Sequence, residues 1–132
     1  MASSSYFDRI AIVLSTVCIV HCLAMPLLLA LLPVAAITFG DNAHFHSVML
    51  WLVVPTSVVG FAMGFRVHRR PGIVAAGGAA VVVLAAAAVW GHTAWNPAAE
   101  TAITVLASLA LAAAHWRNFR EVRRLHRHAA AA

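Results

Sequence analysis

The sequence predicts an all-α membrane protein, a bundle of four transmembrane helices, and three observations predict it. The first is composition: hydrophobic residues make up 63% of the 132 and charged residues 10%, with a mean hydropathy of +0.89. A soluble domain is about 45–50% apolar and about 25% charged, and a chain this short cannot hide so much apolar surface from water. The second is spacing: the apolar residues fall into four runs, about 10–39, 47–65, 73–90 and 100–116, and a membrane helix needs roughly 20 apolar residues. The third is charge placement: all nine basic residues are Arg, and none lies in 40–46 or 91–99. The length allows one domain, so residues 1–132 are read as a single four-helix membrane domain ending in a basic tail, 117–132.

Residues 1–9 are polar and Ser-rich, and Ile10 opens the first apolar run. That run is about twice the ~7–15 residues of a signal-peptide core, which favours a retained span over a cleaved leader. As one straight helix it would be roughly 45 Å long, against a hydrocarbon core of ~30 Å. It must tilt, kink or break, and Pro26 and Pro33 supply the means. A polar loop, Gly40 to His46, leads to the second span. Arg66, His68, Arg69, Arg70, Pro71 and Gly72 form a basic turn into the third, which is rich in Ala, Gly and Val. Its segment Ala75-Ala76-Gly77-Gly78-Ala79-Ala80 lets helix backbones approach closely. Residues 91–97 turn the chain back into the fourth span, which starts near Glu100 and runs into Arg117, Arg120, Arg123, Arg124 and Arg127.

Orientation follows from the Arg residues. In a four-span chain Arg9, the 66–70 turn and the tail lie on one side, and the positive-inside rule makes that side cytoplasmic. Both termini are therefore expected in the cytoplasm of a bacterial inner membrane. Trp51, Trp90, Trp95 and Trp116 fall near span ends, where an interfacial belt places them. The net charge of +5 does not indicate nucleic acid, because the Arg residues sit in short blocks at the ends of apolar runs.

The segment with chemistry in it is Cys18-Ile19-Val20-His21-Cys22, followed by Pro26. Cys18 and Cys22 are four residues apart and share a helix face; His21 flanks it, all three within an arc of roughly 100°. Pro26 cannot donate to the Cys22 carbonyl, so the helix is loosened at the thiol pair. Thiolates prefer soft ions such as Cu(I) and Zn, and Hg(II) by the same logic. Two of them cancel the double charge of one such ion, which makes the unit tolerable in a low-dielectric setting. The plain alternative is two buried cysteines acting as small hydrophobes.

His44 and His46, with Asp41 nearby, would supply imidazole and carboxylate donors to capture a divalent ion in the outer loop, the alternative being a solvated loop. His68 and His115 are read as helix-capping or headgroup-facing, His92 as a loop residue, and His126 and His128 as generic polar positions. Asp8, Asp41, Glu100 and Glu121 lie at span ends, where capping is the expected use. There is no phosphate-binding loop and no catalytic constellation, so an enzyme is not expected. Bis-His haem needs facing histidines at one depth, and only His21 is clearly inside a span.

The chain resembles the MerC family of membrane proteins associated with mercury resistance. The resemblance rests on Asp8, Ser15 with the Cys18–Cys22 segment, Met25-Pro26 and Leu31-Leu32-Pro33. It continues through His46, Pro55, Gly64 with His68-Arg69-Arg70, and Ala114-His115 with Asn118. It implies a four-helix carrier taking mercuric ion across the inner membrane through an intramembrane cysteine pair. On this reading Cys18, Cys22 and His21 are the metal residues and no cofactor is permanently bound. The cargo is Hg2+, or Zn2+ in a His-assisted alternative. The partners are membrane lipid, the metal ion and other metal-resistance or metal-uptake proteins. Transport of another metal or metal complex, and a non-transporting membrane subunit, are the competing functions.

Overall fold

In a computed structural model of the chain, residues 3–31 and 42–130 are described. They form four helices: α1 (Ser3–Leu31), α2 (Asn42–His68), α3 (Pro71–Ala94) and α4 (Pro97–Ala130). Each contains a stretch long and apolar enough to cross a membrane: Tyr6–Ala24, Ser47–His68, Pro71–Gly91 and Pro97–Ala129. The chain is a multi-pass helical membrane protein, as its composition predicts.

Two tight connections make α2, α3 and α4 antiparallel neighbours. Pro71 bars its predecessor from the helical region, and Arg70 is extended, with φ −97° and ψ 99°. Arg69 takes the left-handed conformation, φ 53°, and its amide caps α2 through the Phe65 carbonyl at 2.9 Å, the usual way of ending a helix. At the other end Asn96 caps α4, its Oδ1 accepting from the Ala99 amide at 2.9 Å, with Pro97 in the first position, where its missing N–H costs nothing. The Arg-rich ends meet: Arg70 pairs with Glu121 at 3.2 Å, and Arg9 and Arg123 both lie over the Phe119 ring.

The outer surface is apolar, and the interior combines an apolar core around Val53, Phe61, Leu111 and Ala114 with a set of buried polar side chains. Val13, Val20, Val58, Val82, Val89 and Leu106 are all at least 60% exposed, as is Trp51 at 81%, which suits a lipid-facing wall. Buried inside are Asp8, Ser15, Ser57, His68, Thr104, Ser108, His115 and Asn118. Small residues make this interior close-packed. A side chain on Gly64 would overlap the Asn118 amide, and one on Gly77 the Phe61 ring. Gly78 has open space beside it, so only part of the small-residue run of the third span is a packing face.

Three sequence expectations change. The basic segment after residue 116 continues α4 to Ala130, with Asn118, Phe119 and Val122 buried in the bundle and 123–129 exposed. Residues 42–46, expected in the polar loop, already belong to α2, which begins at Asn42. The helix also continues through position 26 to Leu31, so Pro26 does not break it. Pro33 and Asp41 lie outside the described residues.

Candidate functional site

One stripe of α1, recurring every three or four residues, is buried: Asp8, Ala11, Ser15, Cys18 and Cys22. This is the face a helix presents to its neighbours, and it carries both thiols. Cys18 and Cys22 are both buried, and neither is in a disulfide. Cys18 lines a cavity of about 20 Å³ together with Val53 and Leu50 of α2, Leu84 and Ala87 of α3, and Thr104 of α4. That is room for about one water.

His21 is half-buried, and its ring stacks on Phe45 of α2, centroids 3.6 Å apart. The α1 thiol segment thus meets the first turn of α2, which also carries His44 and His46. The side chains of those two, like that of His92, lie outside the described set. Their backbone is helical, so the two histidines stand in the first turns of α2 rather than in a loop. Among the described residues, no group of three or more His, Cys, Asp or Glu is placed to hold a metal ion. Cys18 and Cys22 share the buried stripe, with half-buried His21 flanking it.

Glu100 was read as a helix cap, and it does lie in the first turn of α4. It also lies within electrostatic reach of Cys22, and its side chain packs close to Gly91. An acidic group at the Arg-free end of the thiol stripe was not foreseen. The signal available was an acid four residues after Asn96, but nothing in the sequence pairs it with α1.

A second polar cluster, toward the Arg-rich end, corrects the reading of Asp8, His68 and His115. Asp8 and His115 are 0% exposed. His115 Nδ1 donates to Asp8 Oδ1 at 2.8 Å, and its Nε2 meets Ser57 Oγ at 3.2 Å. Asn118 Nδ2 donates to both Asp8 oxygens at 2.9 Å and to the Gly60 carbonyl at 3.3 Å. Asn118 Oδ1 accepts from His68 Nε2 at 2.8 Å, while His68 Nδ1 accepts from the Arg70 amide at 2.9 Å. These acceptor roles put the His68 proton on Nε2. Both histidines are buried and both lie in candidate spans, so His21 is not the only histidine inside a span. Phe61 stacks on the His115 ring at 4.1 Å, held there by the gap at Gly77. The family resemblance had picked out Asp8, His115, Asn118, His68 and Gly64 as residues without giving them a role. The fold gives them one connected network.

Residues 8–120 match the family described as MerC mercury resistance protein. No curated protein matches, and no solved structure does.

Proposed function

The chain belongs to the MerC family, and from that premise we propose that it carries a soft metal ion, Hg2+ first, across the bacterial inner membrane between Cys18 and Cys22. The observation that carries this reading is the pair of cysteines, in no disulfide, on one buried stripe inside a membrane span. Residues four apart on a helix have Cβ atoms about 5–6 Å apart. Two metal–sulfur bonds of about 2.3 Å in line span about 4.6 Å, so one ion fits between them. A linear dithiolate needs no third donor, which agrees with the lack of a three-donor cluster among the described residues. A tetrahedral Zn site needs four ligands, of which the thiol pair supplies two.

In this reading the chain is a carrier rather than an enzyme. Glu100, near Cys22, draws the cation toward the outer end of the stripe, and His21 offers a transient nitrogen donor. The Arg-rich end faces the cytoplasm, with both termini there. The test is binding by purified protein. About one Hg2+ per chain should bind and protect both thiols from a maleimide, and the doubly substituted Cys18→Ser/Cys22→Ser protein should bind none. Wild-type binding by the double variant would overturn the assignment.

A further inference from the structure

Cys18 and Cys22 offer two donors to an ion, and the helices packed on α1 set what else it meets. Resting on the thiol reading above, we propose that the cavity beside Cys18 is the seat of the bound ion. The Thr104 hydroxyl and the Met49 thioether are its two further neighbours there.

The register of α1 against α4 brings these groups together. Cys18 stands ten residues after Asp8, and Thr104 eleven before His115, in helices joined by the Asp8–His115 bond. The two helices run in opposite directions, so Thr104 arrives at the level of Cys18. Both line the same cavity of about 20 Å³. Met49 of α2 lines it too, and the rest of the wall, including Leu84 and Ala87 of α3, is apolar. The size suits one small occupant.

Thr104 is the group that points to an occupant. It is 4% exposed, and its hydroxyl has no hydrogen-bond partner. A helical Thr can return its hydroxyl to a carbonyl one turn back, as Thr16 and Thr56 do; Thr104 does not. Ser15 and Ser108 are also buried and unpaired, but neither lines the cavity. An unpaired buried hydroxyl is costly, and a polar occupant of the cavity removes that cost.

Charge decides which neighbours the ion tolerates. Binding runs M2+ + 2 RSH → M(SR)2 + 2 H+, with both protons leaving to solvent. Two thiolates already cancel the charge, so an anionic third donor would leave a net charge in a low-dielectric interior. A hydroxyl and a thioether are neutral. The thioether is also soft, and soft donors select soft ions. A buried Met is most often a gap filler; this one borders a cavity shared with a thiol and an unpaired hydroxyl.

The experiment titrates Hg2+ into full-length protein in nanodiscs against a competing small thiol. It also records the mercury nuclear resonance of the bound ion and the melting of the metal-free protein. Thr104→Val keeps the shape without the hydroxyl, and Met49→Leu keeps the volume without the sulfur. Each should weaken binding about tenfold, as loss of groups around a metal does, and each should move the mercury resonance. Metal-free Thr104→Val should melt no lower than wild type, because it sheds an unpaired hydroxyl. Thr104→Ser should bind like wild type, and so should Leu84→Ile, which alters the same wall without touching a donor. Wild-type affinity and an unmoved resonance in both Thr104→Val and Met49→Leu overturn the cavity seat alone. Absence of binding by wild type overturns the thiol reading, and this one with it.

Discussion

His115 on α4 and Asp8 on α1, 107 residues apart in sequence, are joined by a 2.8 Å hydrogen bond with neither side chain reaching the surface. Asn118 holds both Asp8 oxygens from one turn further on. This contact fastens the first helix to the last and fixes the register of the α1 stripe that carries the thiols.

Asp8→Ala removes the acceptor for His115 and Asn118. Hydrogen bonds between membrane helices are worth about 1–2 kcal/mol at most, and more than one is lost. The thermal midpoint in detergent should fall clearly, with a smaller fall for Asp8→Asn, which keeps one acceptor oxygen. An unchanged midpoint in Asp8→Ala would mean that the network does not hold the bundle.

Gly64→Ala places a methyl group on the Asn118 amide. Overpacking of this kind costs about 1–3 kcal/mol, so the folded yield and the thermal midpoint should drop. Gly78→Ala, with nothing beside it, is the matched control and should be neutral. Equal behaviour of the two variants would contradict the packing of α2 against α4.

Much of this was legible in the sequence, and the rest was not for physical reasons. Apolar run length gave four helices, because a membrane sets their minimum length. The i, i+4 spacing put Cys18 and Cys22 on one face, because helix geometry is local. What failed was anything set by contact between distant segments. Asp8 read as a cap because an acid near a helix start usually is one, and His115 read as interfacial because Trp116 and Arg117 follow it. Only the packing of α1 on α4 shows that the two meet. The Arg-rich segment likewise read as a tail because charge hid Asn118, Phe119 and Val122, which are buried against the bundle, while 123–129 beyond them are exposed.

His44 and His46 stand two residues apart in the first turns of α2 rather than in a loop, a spacing that on a helix does not favour a shared ion. If either assists capture, the two should act separately. His44→Ala and His46→Ala should then have independent effects on uptake at low metal, adding in the double variant as independent sites do. A double variant no worse than either single one would restore a shared chelate.

Topology rests on the Arg asymmetry. A phosphatase fusion at Asn96 should be active outside the membrane, and one after Ala132 should not. An inactive Asn96 fusion together with an active C-terminal one would invert the bundle and move the Arg-rich end to the periplasm.

The central claim is that the two thiols act as one carrier site, and metal uptake by cells expressing single and double cysteine variants tests it most directly. Membrane protein level is the control, since Ser is close to Cys in size and should not disturb folding. Cys18→Ser and Cys22→Ser should each abolish most Hg2+ uptake, and the double variant should be little worse than either, because ligands of one ion are not additive. Uptake at the wild-type rate by the double variant would contradict the account.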